Sequence, residues 1–106
     1  MTDVNQTLES REKTHGDYKD VAEAAQTIKN TFQFLTNEND SKLSPVQLES
    51  LDMFASKLAR IFCGNPNEPD HWHDIAGYAT LVEKELHREF MRELRIEERK
   101  CDDSII

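Results

Sequence analysis

Leu43-Ser44-Pro45-Val46-Gln47-Leu48-Glu49-Ser50-Leu51-Asp52 opens the stretch that decides the fold, and Asp70-His71-Trp72-His73-Asp74-Ile75-Ala76-Gly77-Tyr78 brings it towards its close at Leu81. Ser44 is a natural helix N-cap, and Pro45 suits the first helical position, where a missing N–H costs nothing. Gln47 stands three residues after the cap and completes a capping box, while Leu43 and Leu48 take the two places of a hydrophobic staple. These signals predict a helix over 44–63, stopped by Gly64 with Pro66 behind it. Pro69 opens a second helix. Its apolar residues Trp72, Ile75, Ala76, Ala79, Val82, Leu86 and Phe90 recur at three and four, carrying it to Phe90 and, through a charged extension, to about Arg99. From Trp72 to Val82 it is apolar nearly all round, the pattern of a buried helix.

Working outward, Asp17 is placed to cap a helix that begins near Tyr18. Val21, Ala24, Ala25, Ile28, Phe32 and Leu35 form its apolar stripe, and the polar run 36–41 ends it near Leu35 or Thr36. Before it, Thr14-His15-Gly16-Asp17-Tyr18 breaks the chain, Gly16 supplying backbone freedom. Residues 1–13 read as a polar N-terminal arm or marginal helix, 14–99 as one helical domain and 100–106 as a frayed tail. With no strand-like alternation, the class is all-α, a compact helical bundle.

A chain of 106 residues is one domain by length, and one this short buries a modest share of its surface. Too few helices are present to cover the Trp72–Val82 segment, so the bundle is expected to be completed by oligomerisation, as a homodimer or higher oligomer. A net charge of −8 argues against nucleic acid as a partner, since that binding needs Lys and Arg to neutralise phosphates. No apolar run approaches the ~20 residues of a membrane span, and none resembles a signal peptide. The expectation is a soluble, cytoplasmic protein with no membrane partner, its two cysteines, Cys63 and Cys101, free thiols.

Acids among apolar residues are costly unless they are paired or hold a cation. At about 100° per residue, Asp52 falls at the edge of the apolar arc of its helix, with Glu49 about 60° farther round and Arg60 on the same flank. Asp70 and Asp74 lie one turn apart on the next helix. Facing helices of a bundle can build a metal site from such pairs, and magnesium takes oxygen ligands. The ordinary alternative makes Glu49 and Asp52 surface acids paired with Arg60 and Lys57, and Asp70 and Asp74 first-turn acids favoured by the helix dipole. His71 and His73 are two apart and so point to different sides, unlike the i,i+4 pair of a zinc helix.

Arg11-Glu12-Lys13-Thr14-His15-Gly16-Asp17-Tyr18, Leu51-Asp52-Met53 with Lys57-Leu58-Ala59-Arg60-Ile61, and Asp70 to Ala79 together resemble a family of small phage and prophage proteins with no assigned activity. That family is distantly similar to the MazG-like all-α nucleotide pyrophosphohydrolases, which cleave nucleoside triphosphates with magnesium held by an E-x-x-E and an E-x-x-D pair. The resemblance matches Glu49 and Asp52 to the first pair and Asp74 to the last acid. His71 stands where the remaining acid would be, and Asp70 beside it is rotated by about 100°. The likeness implies a nucleotide partner, a (d)NTP, with magnesium or manganese on Glu49, Asp52 and Asp74. Asp70 would complete the site or act as base, and Lys57 or Arg60 would offset phosphate charge. On this reading Asp74→Asn relieves crowding among acids. The alternative is a non-catalytic phage protein that sequesters a nucleotide signal or inhibits a host defence enzyme.

Overall fold

A computed structural model describes residues 3–105, with side chains described for residues 3–100. The chain is all-helical there: α1 (Val4–His15), α2 (Tyr18–Glu38), α3 (Pro45–Cys63) and α4 (Pro69–Ile105). The all-α expectation holds. The element starts follow the local chemistry. Ser44 Oγ accepts from the Gln47 N–H at 3.2 Å, and the Gln47 side chain accepts from the Ser44 N–H at 2.9 Å, so the capping box closes in both directions. Asp17 caps α2 by accepting from the Lys19 N–H at 3.3 Å.

The arm of residues 4–13 is helical as part of α1, and α4 runs to Ile105, beyond the Arg99 read from the periodicity. Met1, Thr2 and Ile106 lie outside the described residues.

α3 is the centre. α2 packs on one side of it and α4 on the other, and α1 touches α2 and α3. Ala55 and Ala59 are fully buried on α3, letting its neighbours approach closely; Ala25 on α2 and Ile61 on α3 are also buried. With 37 residues at about 1.5 Å each, α4 accounts for most of the 70 Å long dimension.

One orientation departs from the sequence reading. Among the residues of α4 whose side chains are described, those buried or half-buried are His71, Asp74, Ile75, Tyr78, Val82 and Glu85, a stripe at three- and four-residue spacing. Trp72, Ala76, Ala79, Leu86 and Phe90, which the periodicity assigns to the inner arc, are exposed. The helix is turned so that polar groups can reach partners on α3 and on the last turn of α1. The all-round apolar segment is therefore not enclosed within one chain.

A junction of lysine, arginine and histidine beside the turn after α1

Two turns meet at one end of α3. Gly16, between α1 and α2, has φ +92°, a left-handed value that side chains rarely adopt. A Cβ on Gly16 would collide with the Cys63 carbonyl, and one on Gly64 would collide with the Thr14 and Arg60 carbonyls. Gly64 is not left-handed: its φ is −114°. It is required by close approach of two backbones, a reason different from the helix-ending one its sequence position suggests.

The Thr14 carbonyl accepts twice, from the Asn65 N–H and from His71 Nε2–H, each at 2.9 Å. A carbonyl can only accept, so His71 carries its proton on Nε2. At 2% exposure, His71 is a buried polar side chain satisfied by this bond, which ties α4 to the last turn of α1. The His15 ring lies 5.2 Å from that of His71. His15 Nδ1 donates to the Arg11 carbonyl at 3.1 Å, leaving Nε2 as the acceptor of the neutral ring. Burial pushes the His15 pKa below its ordinary value. Arg60, His71 and Lys57 press the same way, and the bond to Arg11 opposes them.

Lys57 is buried on α3, and its ammonium meets Asp74 Oδ2 on α4 at 2.9 Å. The pair makes burial of the lysine tolerable. The hydrogen bond from Lys57 holds the Asp74 carboxyl below its usual range, with help from His73 and Arg60 and against a smaller cost of desolvation. One turn along α3, half-buried Arg60 reaches a cleft of ≈ 630 Å³ with Leu8, Arg11, Glu12, His15, Gly16, Asp17, Tyr18 and Val21. Arg11 and Arg60 form no ion pair among the described residues. Tyr18 is 84% exposed at this cleft.

The residues expected to hold magnesium are not gathered in one chain. Glu49 and Asp52 are exposed on α3, and Asp70 is exposed in the first turn of α4. Asp74 is engaged by Lys57. Among the described residues no group of three or more His, Cys, Asp or Glu could hold a metal ion. Of the expected site, Lys57, Arg60 and Asp74 come together, His15 and His71 lie beside them, and Arg11 and Tyr18 share the cleft that Arg60 reaches. Sequence reasoning read Asp17 chiefly as a cap, and weighed His71 for zinc and as the residue standing where the remaining acid of the second pair would be. A signal for His71 was present: it precedes Asp74 by three and so shares its face. Its partner Thr14 is 57 residues away, beyond any local pattern.

Cys63 is a free thiol whose Sγ donates to the Asp20 carbonyl at 3.6 Å; the Cys101 side chain lies outside the described residues. No helix among the described residues is long and apolar enough to cross a membrane. A family described as a domain of unknown function (DUF6378) matches residues 1–86, and the chain belongs to that family. No curated protein and no solved structure matches it.

Proposed function

We propose that this DUF6378 protein binds a nucleotide at the junction of α1, α2 and α3, with the phosphates towards Arg11 and Arg60 and the base against Tyr18. The observation that carries the reading is the pair of arginines, without ionic partners among the described residues, in a cleft of ≈ 630 Å³ of a chain whose net charge is −8. Glu12 and Asp17 also line the cleft, but neither is paired with Arg11 or Arg60 among the described residues, so both guanidiniums are open to an anion, and guanidinium is well matched to phosphate. The cleft falls within the usual 300–1,000 Å³ or so of small-molecule sites. Neutral His15 beside it can accept a hydrogen bond, and the exposed Tyr18 ring offers a stacking face.

Hydrolysis of a (d)NTP with magnesium or manganese is the second reading. It is favoured by Glu49 and Asp52, exposed one turn apart and in no ion pair among the described residues. The acids of a single chain do not fit a magnesium site, because Asp74 is committed to Lys57. Calorimetric titration with a nucleotide panel, with and without magnesium, followed by analysis of products, tests both. Stoichiometric binding of intact nucleotide, weakened at least about tenfold by Arg60→Met, supports the binding protein. Magnesium-dependent release of pyrophosphate moves the conclusion to the enzyme. Absence of binding by every nucleotide, with or without the ion, removes both.

A further inference from the structure

The outward stripe of α4 is what the chain leaves unfinished. Trp72, Leu86 and Phe90 are 54%, 47% and 57% exposed, and Leu94 continues the apolar surface towards the C-terminus. Ala79, Val82, Leu86 and Phe90 line a shallow groove along the helix with Glu83 and His87 at its edges. At about 100° per residue, the stripe lies roughly 100° round the helix from the face that packs on α3.

The deficit in burial is large. The chain exposes 8550 Å². A folded monomer of this mass, 12.3 kDa, is expected to expose about 6,100 Å². Its radius of gyration is 20.0 Å against about 13 Å for a globular chain of this length. Among the described residues only Ala25, Ala55, Ala59 and Ile61 are buried hydrophobics, and no large side chain is fully buried. An excess of about 2,400 Å² per chain, removed from two chains at once, falls near the upper end of obligate homodimer interfaces at roughly 2,000–5,000 Å².

Charge identifies the partner. Residues 83–100 carry six acidic and six basic side chains, whereas the whole chain carries −8. The long end of α4 is thus a neutral segment at which two copies of an otherwise acidic chain can meet without net repulsion, and its mixed signs can pair along a self-complementary contact. We propose that a second copy of this chain lays its own α4 against this stripe, forming a two-fold dimer that covers Leu86 and Phe90 of both copies.

The proposal does not depend on the nucleotide reading and is tested without nucleotide. Sedimentation equilibrium of the full chain between about 1 and 100 µM is expected to give twice the chain mass, or an even multiple of it. The variant carrying Leu86→Glu and Phe90→Glu, both exposed in the single chain, is expected to dissociate at least about 100-fold more readily. Because that variant could also lose helix, a second measurement leaves the stripe intact. Glu89→Cys is spin-labelled in a chain carrying Cys63→Ser and Cys101→Ser, and dipolar coupling between copies is expected. A single-chain mass at the highest concentration overturns the proposal, whatever else the stripe then binds. So does a dimer whose labels are uncoupled, which would place the contact elsewhere.

Discussion

The two faces of α4 are built on opposite terms. Near its start, His71 and Asp74 turn inward, each to a specific partner: the Thr14 carbonyl and the Lys57 ammonium, both at 2.9 Å. On the other face, Trp72, Leu86 and Phe90 are large, apolar and exposed. A hydrophobic arc identifies a surface that leaves water; it does not say which body covers it. Within this chain, orientation follows the polar contacts. A buried donor without its acceptor costs about 1–3 kcal/mol, and turning the apolar arc inward would leave several such groups unpaired.

The largest effect should come from breaking the contact between the two turns. Gly16→Val places a β-branched residue at φ +92° and drives its Cβ into the Cys63 carbonyl. The expected loss is about 3 kcal/mol or more, read as a drop in the urea midpoint. A loss under about 1 kcal/mol would mean that the junction gives way easily and does not orient α4.

The ion pair sharpens the comparison next. Asp74→Asn leaves the buried Lys57 ammonium facing a neutral amide, whereas Lys57→Met leaves a half-exposed carboxylate that water can reach. Both should lower Tm, Asp74→Asn by more. That sign reverses the relief of repulsion expected from crowded acids, because the neighbour of Asp74 is a cation. The Asp74 pKa is lowered in the folded state. Its contribution is therefore complete above the ordinary carboxylate range near pH 4 and is lost as pH falls through the folded value. The Tm gap between wild type and Lys57→Met should close over that window. A gap that persists unchanged at the lowest pH would assign the loss to packing of the lysine stem.

Gly77 supplies the matching test on the exposed side. A Cβ there meets nothing within 4 Å. Gly77→Ala should raise stability by up to about 1 kcal/mol through the lower backbone entropy of alanine, measured by the same urea titration. Destabilisation would show that something covers this flank of α4 too.

The helices were readable because their signals are local. Ser44, Pro45 and Gln47 announce the start of α3 within four residues, and the periodicity of α2 and α3 needs only a short window. The rotation of α4 was not readable, since it depends on Thr14 and Lys57, distant in sequence from the residues that contact them. The candidate site was legible in part. Lys57, Arg60 and Asp74 stood out as charges within apolar helices. Arg11, His15 and Tyr18 entered only within the stretch that carries the family resemblance, because each is ordinary in a polar loop or an exposed helix. Only the fold brings Arg11 and Arg60 to one cleft. Glu49 and Asp52, prominent as a spaced pair, end on an open flank of α3 because one turn of separation sets their mutual spacing and not what lies opposite them.

The smallest effect concerns His15, where the junction meets solvent. Its pKa lies below the ordinary value, chiefly through burial, with Arg60 and Lys57 on α3 and His71 on α4 adding to the depression. The folded state therefore favours the neutral ring, and the unfolded chain binds more protons as pH falls through about 6.5. Stability from this group is present above that pH and is lost below it as the folded ring is forced to take a proton. Wild type should melt at a lower temperature at pH 5.5 than at pH 7.5, and His15→Asn should show a shallower slope across the window. The shift should be modest because the ring is only half-buried. His71→Asn is the control: it removes the bond to Thr14 and should lower Tm at both pH values. If His15→Asn keeps the full wild-type slope, burial of the neutral His15 ring is not the acid-sensitive feature of the junction.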